Sequence, residues 1–145
     1  MGAEVNYFDI KKRKPSSKIK SKNQILKTSD LIVVCISYNK KNIDFVNKDF
    51  FSKMKKNSVF VNTSRGEVVN ENALIHALKT KKLKFALIDV IKNEQYLKTK
   101  KNKLIEYAKK CNNLLISPHM AGLTEESEKK AFLISVENII KYFKK

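Results

Sequence analysis

Four short apolar runs, each followed by polar residues, constrain the fold of this chain more than any other feature. Segments with helical spacing separate these runs, which cover residues 31–36, 58–61, 85–90 and 114–116. Strands that alternate with helices are typical of an α/β fold with a parallel sheet. The polar residues would then meet at the carboxyl edge of the sheet, where open α/β sheets bind ligands. They are Ser37, Thr63, Ser64, Arg65, Asp89, Ser117 and His119.

Further elements are predicted around these runs. An alternating pattern predicts a strand from Glu4 to Ile10, and Ile19 could belong to a very short edge strand. Helices are predicted near residues 22–27 and 97–109, after the cap residues Asn47 and Asn70, and after Thr124. The last helix carries an apolar stripe that we expect to be buried, formed by Phe132, Val136, Ile139, Ile140 and Phe143.

The size and composition of the chain set broad limits. Its 145 residues suffice for one domain with a core, and no apolar run is long enough for a membrane span. The first ten residues contain acids and do not resemble a signal peptide. Cys35 and Cys111 lie far apart without metal-type spacing, and Cys35 is expected to be a buried small hydrophobe. These features favour a reduced, cytoplasmic protein and predict no metal.

The formal charge of +17 would ordinarily suggest a nucleic-acid partner. Lysines spread along the whole chain carry nearly all of it, with Arg13 and Arg65 as the only arginines among 31 basic residues. Arginine-rich reading helices and interleaved exposed aromatic residues, which mark nucleic-acid interfaces, are missing. We therefore expect no nucleic-acid partner, and we interpret the dense patch at residues 11–14 as a solvated loop.

Arg65 lies in a turn between the apolar run 58–61 and the helix capped by Asn70. In a chain that uses lysine almost everywhere, an arginine on such a turn suggests a need for its planar, bidentate guanidinium. A structural ion pair is an equally good explanation from this segment alone.

His119 and Glu94 complete a possible chemical site. An imidazole at a strand end can exchange a proton near neutral pH, and Glu94 could bind its other ring nitrogen. With Arg65 holding a substrate carboxylate, these groups suit hydride transfer on a 2-hydroxy or 2-oxo acid. The competing interpretation is a capped turn, a surface glutamate and a satisfied loop histidine. His76, on the helix after Asn70, is given no role.

Three segments of the sequence resemble a known family. They are Asn62-Thr63-Ser64-Arg65-Gly66-Glu67-Val68-Val69-Asn70-Glu71-Asn72-Ala73-Leu74, the stretch from Ala86 to Glu94, and Ser117-Pro118-His119-Met120-Ala121-Gly122. In order and spacing they resemble the NAD-dependent D-isomer-specific 2-hydroxyacid dehydrogenases, and the resemblance runs from Gly2 to about Lys141. It implies a Rossmann-like parallel sheet with flanking helices.

The resemblance also implies roles for particular residues. Arg65 would be the substrate-carboxylate arginine, Glu94 the acid paired with histidine, and His119 the acid/base. Among cofactor contacts, Asp9 would bind the adenosine ribose, Asp89 would lie near the nicotinamide amide, and Ser37 and Thr63 would lie beside the dinucleotide. Asp9 favours NAD because a carboxylate pairs with ribose hydroxyls, although neighbouring basic residues keep NADP open.

Parts of the family pattern are missing from this sequence. The glycine-rich turn should precede Asp9 by roughly 20 residues, but only eight residues precede it. The first strand, expected centrally between the Asp9 and Leu31 strands, and the substrate domain are also lacking. We therefore predict that residues 1–145 form a partial dinucleotide-binding domain, from a truncated or split gene or a longer chain.

This partial domain leads to two functional expectations. As a dehydrogenase fragment, the chain alone would neither bind NAD well nor turn over substrate, and it would need oligomerisation or a complementing polypeptide. Alternatively, it is a non-catalytic remnant that serves as an oligomerising or binding module.

Overall fold

A computed structural model describes residues 2–10, 18–96 and 101–143. Nine regular elements with three single-turn 3₁₀ segments among them follow one another in this part of the chain. They are α1 (Lys22–Thr28), β1 (Leu31–Val34), α2 (Lys48–Lys53), β2 (Ser58–Asn62), α3 (Glu71–Lys79), β3 (Leu83–Ile88), α4 (Lys103–Ala108), β4 (Leu114–Ile116) and α5 (Glu125–Phe143). The 3₁₀ turns are Lys40–Asn42, Gly66–Val68 and Glu94–Tyr96.

The four strands form one parallel sheet in the order β1-β2-β3-β4. Consecutive parallel strands require crossover connections, and α2, α3 and α4 lie within these connections. The expected α/β fold with a parallel sheet and flanking helices is therefore confirmed.

Side-chain caps define where the helices begin. Asn47 Oδ1 accepts the Phe50 N–H at 3.1 Å, and Asn70 Oδ1 accepts the Ala73 N–H at 2.9 Å. Thr124 Oγ1 accepts the Ser127 N–H at 3.2 Å at the start of α5. Each oxygen satisfies a donor that the first helical turn leaves unpaired, so the three predicted caps are confirmed.

The core lies between one face of the sheet and the helices α2, α3 and α4. Phe51 and Phe60 pack edge to face with ring centroids 5.2 Å apart, and Phe60 is fully buried. This cluster also contains residues from every strand, namely Ile32, Val34, Ala86, Ile88 and Leu114. Burial of these apolar side chains supplies the main driving force for packing the sheet against the helices.

The opposite face of the sheet is open to solvent. Leu31, Val33 and Leu115 are 54%, 50% and 55% exposed, because no described helix packs over them. A continuous apolar run such as 31–36 is typical of a parallel strand buried on both faces, and this expectation is wrong here. Cys35 just beyond β1 is also exposed rather than buried, which corrects a second expectation.

Helix α5 differs most from expectation. All of its 19 residues are exposed, including the apolar stripe that was predicted to be buried. Phe132 and Phe143 are 68% and 80% exposed. The stripe has the predicted helical spacing, but among the described residues there is no surface that covers it. No helix in the described part of the chain has both the length and the apolar character to cross a membrane.

The amino-terminal segment forms fewer strand-to-strand backbone hydrogen bonds than its alternating pattern predicted. The predicted strand from Glu4 to Ile10 is reduced to one parallel bridge between Tyr7 and Ile19. The basic patch at 11–14 and the first residues of the helix predicted over 97–109 lie outside the described residues. The described part of that helix is α4, which begins at Lys103.

Candidate active site

The turn after β2 is held by a buried amide side chain. Asn62 Oδ1 accepts the Ser64 N–H at 3.1 Å and the Ser64 hydroxyl at 2.6 Å, while its Nδ2 donates to the Arg65 carbonyl at 3.2 Å. Asn62 is fully buried, so these bonds are shielded from water. Arg65 itself is exposed, and its Nη1 donates to the Ser64 carbonyl at 2.7 Å. These hydrogen bonds thus fix the backbone of the turn from which the Arg65 guanidinium extends.

Gly66 brings this turn against the loop that follows β3. A Cβ atom at Gly66 would lie 2.0 Å from the carbonyl carbon of Ile91 and 2.4 Å from the Lys92 nitrogen. Only glycine allows two backbones to approach so closely. The Arg65 turn and the loop leading to Glu94 are therefore held together by main-chain contact.

Asp89 organises the loop after β4. Its carboxylate accepts hydrogen bonds from Ser117 Oγ at 2.5 Å, from the Met120 N–H at 2.9 Å and from the Ala121 N–H at 2.9 Å. Burial acts to raise the pKa of Asp89, but these bonds and the nearby His119 outweigh it, so the pKa lies below its ordinary value. Asp89 thus stays ionised and ties the strand end to both sides of His119.

His119 and Glu94 are in direct contact. The imidazole Nδ1 lies 2.7 Å from Glu94 Oε1, and both side chains are partly exposed. His119 has φ 55°, a left-handed conformation that non-glycine residues seldom adopt. Its backbone N–H donates to the Ser117 carbonyl at 3.0 Å, so the Asp89-bound loop holds the ring in this orientation.

The predicted site residues fall into two neighbouring groups. Asp89, Glu94 and His119 line a cavity of about 710 Å³. Ser37, Thr63 and Arg65 line a second cavity of about 570 Å³ beyond the carboxyl ends of β1 and β2. The half-buried Asp9 lines neither of these two cavities. The sequence thus placed six of the seven residues at one edge of the sheet, in two pockets rather than one.

Two supporting residues were missed. One is Asn62, whose polarity at a buried strand end signals a special role. The other is Glu71, predicted only as a favourable charge in the first turn of α3, which accepts the Lys92 N–H at 2.9 Å and so anchors the loop before Glu94. Nothing in the sequence pattern indicates that second contact, because it joins residues 21 positions apart.

Comparison with known proteins identifies the family. Residues 1–121 match the family model of the D-isomer specific 2-hydroxyacid dehydrogenase, NAD binding domain. The chain belongs to this family. The sequence resemblance is therefore confirmed, and the parallel sheet is that of a dehydrogenase NAD-binding domain.

Individual dehydrogenases show how much of the family the chain represents. It is 37% identical over 112 residues to the human glyoxylate reductase/hydroxypyruvate reductase, covering 77% of this chain and 32% of that protein. D-3-phosphoglycerate dehydrogenase of Dictyostelium discoideum is 30% identical over 146 residues, 99% of this chain and 35% of that protein. The Aquifex aeolicus D-lactate dehydrogenase structure with NAD and lactic acid matches with TM-score 0.75 and 28% identity, covering 94% of this chain and 45% of that one. The chain thus spans less than half the length of these relatives.

The residues present fit part of a dinucleotide. Polar side chains at the carboxyl edge suit the nicotinamide end and its ribose. The pyrophosphate end needs a glycine-rich turn at a helix N-terminus. The three glycines, Gly2, Gly66 and Gly122, lie far apart in the sequence and form no such cluster, and Gly66 packs against Ile91.

Proposed function

We propose that this chain is the catalytic-edge portion of an NAD-dependent oxidoreductase that interconverts a 2-hydroxy acid and a 2-oxo acid. The observation that carries the proposal is the 2.7 Å contact between His119 Nδ1 and Glu94 Oε1, next to the anchored carboxylate of Asp89. An acid paired with a histidine at the end of a parallel strand is an arrangement suited to proton transfer. NAD, when bound, supplies the hydride acceptor or donor.

His119 accepts and returns the proton of the substrate hydroxyl. With Glu94 ionised, Nδ1 carries the hydrogen that faces the carboxylate, and Nε2 is left as an acceptor. Nε2 then takes the proton of the substrate hydroxyl during oxidation and returns it to the carbonyl oxygen during reduction. Glu94 stabilises the imidazolium that forms between these two events.

Arg65 orients the substrate. Its Nη1 bond to the Ser64 carbonyl fixes one side of the guanidinium, and the side chain lines the cavity beyond β1 and β2. A planar fork of donors binds a carboxylate through two parallel hydrogen bonds, which fixes the orientation of the neighbouring carbon. Ser37 and Thr63 line the same cavity as Arg65 and would contact the cofactor, Asp9 would bind its ribose, and Asp89 would lie near its nicotinamide amide.

In this proposal residues 1–145 form part of a dinucleotide-binding domain. We expect the isolated chain to bind NAD weakly and to turn over no substrate, because its glycines form no pyrophosphate cradle. Calorimetric titration of the purified chain with NAD tests this point. Saturable binding in the micromolar range would contradict it.

A chimera tests the roles of the residues. The matching stretch of the human glyoxylate reductase/hydroxypyruvate reductase is replaced by this chain's segment, and NADH-dependent reduction of glyoxylate, hydroxypyruvate and pyruvate is measured. His119→Gln should lower kcat by about 10²- to 10⁴-fold, since it removes the acid/base group. Arg65→Lys should mainly raise KM for the 2-oxo acid, since it removes the bidentate fork.

Exposed Lys56 gives the control, because Lys56→Gln changes a charge away from the site and should alter neither constant. A chimera that folds and binds NADH but keeps its kcat after His119→Gln would refute the role of this residue. Reduction of none of the three acids by a folded, NADH-binding chimera would refute the substrate class.

The second candidate is a non-catalytic module that oligomerises or binds a partner. The exposed apolar stripe of α5 and the open face of the sheet favour it. Under this alternative, the His119→Gln and Arg65→Lys substitutions would leave the protein's behaviour in solution unchanged, while substitutions on α5 would alter its oligomeric state.

A further inference from the structure

Lys92, which the proposed chemistry does not use, makes contacts toward the Arg65 turn with both its backbone and its side chain. Its N–H donates to Glu71 Oε1 at 2.9 Å, and its ammonium group forms an ion pair with Asp44. Its nitrogen also takes part in the close approach between Gly66 and the loop after β3. Three contacts of different kinds therefore converge on one residue.

The segment that contains Asp44 is bonded along its length to the turn that carries Arg65. Three backbone hydrogen bonds join the two segments, from the Asp44 N–H to the Glu67 carbonyl, from the Val46 N–H to the Val68 carbonyl and from the Asn70 N–H to the Val46 carbonyl. Val46 and Val68 are fully buried at this seam. We refer to residues 44–46 and 65–71 together as the arginine unit, because these bonds fix their relative position.

The chain turns sharply immediately after Lys92. Asn93 has φ 54°, a left-handed conformation that non-glycine residues seldom adopt, and its carbonyl accepts the Tyr96 N–H at 2.9 Å. Glu94 lies within this turn, and its carboxylate contacts His119. The direction in which the chain leaves Lys92 therefore decides where the Glu94 carboxylate lies.

The position of His119 has a separate origin. The loop around it is held by the Asp89 carboxylate, which accepts the N–H groups of Met120 and Ala121. None of these bonds involves Lys92. The contact between Glu94 and His119 thus joins two loops that different residues hold in place, and it persists only while each loop keeps its position.

The backbone contact at Gly66 does not fix the direction of the Glu94 loop alone. One close approach sets a separation but still permits rotation about the point of contact. The bonds from Lys92 to Glu71 and to Asp44 add two further points of attachment on the arginine unit. The Lys92 and Asp44 side chains are only 25% and 39% exposed, so water screens their attraction less than that of a fully exposed pair.

We propose that Lys92 is a positioning residue that holds the Glu94 loop on the arginine unit and so sets the separation between Arg65 and the Glu94–His119 pair. The carboxylate and the reacting carbonyl of a 2-oxo acid are joined by a single bond. The group that binds the carboxylate and the group that donates the proton must therefore keep a fixed separation. The inference rests on the proposed function for its chemical meaning, although its geometric part can be tested without catalysis.

The ring nitrogens of His119 report its contact with Glu94 in the purified chain. With the contact formed, the neutral ring carries its hydrogen on Nδ1, and loss of the contact lets the hydrogen move to Nε2. Nitrogen NMR at alkaline pH measures the ratio of the two forms. Lys92→Met keeps the backbone N–H but removes the charge, and should lower the Nδ1–H to Nε2–H ratio by about threefold or more. His76 on α3 is an internal reference whose ratio should not change.

Matched variants separate positioning from a general loss of stability or charge. Lys92→Arg keeps the cation and should hold the ratio within roughly a factor of two of the unaltered chain. Lys55→Met removes another ion pair between two loops, the pair with Asp30 that lies before β1 and β2 at the opposite end of the sheet, and should leave the ratio unchanged. Retained protection of the Phe60 and Ala86 amides from exchange shows that each variant is folded.

A double-mutant cycle in the chimera with the human glyoxylate reductase/hydroxypyruvate reductase tests the catalytic consequence. Lys92→Met should lower kcat by about tenfold, since it loosens the Glu94 loop. KM for the 2-oxo acid should change by less than roughly twofold, because Asn62 holds the Arg65 turn independently of Lys92. Asp44→Asn should have the same effect. The double variant should lose no more than either single variant, since both changes remove one interaction.

Three results would overturn the inference. An unchanged ratio in folded Lys92→Met would show that the backbone contacts hold the Glu94 loop without the ion pair. Additive losses in the cycle would show that Asp44 and Lys92 act separately. An equal fall in the ratio with Lys55→Met would identify an effect of net charge.

The kinetic results also distinguish failure of the inference from failure of the proposed function. An unchanged kcat in Lys92→Met, beside a lowered kcat in His119→Gln, would refute the inference alone. An unchanged kcat in His119→Gln would refute the proposed function, and the ratio at the ring nitrogens would still decide whether Lys92 positions Glu94.

Discussion

The two faces of the sheet differ sharply although the same four strands build both. On the helix-covered face, Phe60 and Ala86 are fully buried and the packed rings of Phe50, Phe51 and Phe60 fill the space beneath α2 and α3. On the open face, Leu31 and Leu115 are more than half exposed.

This difference reflects where the covering elements come from in the sequence. The helices α2, α3 and α4 connect consecutive strands and cover one face of the sheet. The other face receives no helix from the described residues, and α5 extends into solvent with an apolar stripe of its own. Packing is therefore complete where both partners lie among the described residues, and the surfaces that stay exposed have no covering element there.

The largest expected effect comes from the backbone contact on the packed side. Gly66→Ala places a Cβ within 2.4 Å of three backbone atoms of Ile91 and Lys92, which flexible side chains cannot relieve. We expect the free energy of unfolding to fall by on the order of 3 kcal/mol or more, measured by urea denaturation. Gly122→Ala is the control, because an added Cβ there meets no atom within 4 Å. Equal stability of the two variants would contradict the tight approach.

Two adjacent leucines of β4 allow the contribution of each sheet face to stability to be compared directly. Leu114 is 6% exposed and Leu115 is 55% exposed, so the same leucine-to-alanine change probes opposite sides of one strand. Leu114→Ala should reduce the free energy of unfolding by about 2 to 4 kcal/mol, and Leu115→Ala by less than about 1 kcal/mol. Similar losses from both would show that the open face is covered in solution.

The charge of Asp89 gives a pH-dependent test. Its folded-state pKa lies below the ordinary 3.8, so its ionised form stabilises the fold above that pH, and this contribution is lost as the pH falls through the lowered value. Asp89→Asn should therefore cost about 1 to 3 kcal/mol at pH 7, and its difference from the unaltered protein should shrink below pH 3.8.

Asp49→Asn serves as the comparison for this experiment, since the Asp49 side chain is 65% exposed in an ion pair with Lys53. Exposed pairs contribute little, so its effect should stay small throughout. A difference for Asp89→Asn that remains constant between pH 7 and pH 3 would show that hydrogen bonding, and not ionisation, carries the contribution.

The smallest expected change in stability lies on α5. Ile140→Lys replaces a 46% exposed residue of the apolar stripe and should change the free energy of unfolding of the monomer by less than about 0.5 kcal/mol. The same variant should reduce self-association, measured by light scattering at rising protein concentration. Destabilisation by more than 2 kcal/mol would indicate that the stripe is packed in solution.

Local signals predicted much of the fold. The caps at Asn47, Asn70 and Thr124 and the strand from Leu114 to Ile116 depend on neighbouring residues, so the sequence pattern is sufficient to find them. The polar residues at the strand ends were predicted for the same reason. Parallel strands share one carboxyl edge, which brings Asp89 and His119 together without knowledge of the loops between them.

The incorrect predictions have a common physical cause. Apolar periodicity shows which side of an element seeks burial, but not whether a covering surface exists. It therefore predicted burial for Val33, Cys35 and the stripe of α5, all of which are exposed. The amino-terminal strand was overestimated similarly, because a single bridge between Tyr7 and Ile19 takes the place of a continuous ladder among the described residues.

The exposure of α5 bears on how much of this protein a cell would keep. Chaperones and proteases select chains that display contiguous apolar side chains, and small changes in such exposure alter steady-state amounts several-fold. Whatever covers Phe132 and Phe143 would therefore also protect the chain from degradation. The amount of this protein would then follow the supply of whatever covers that stripe.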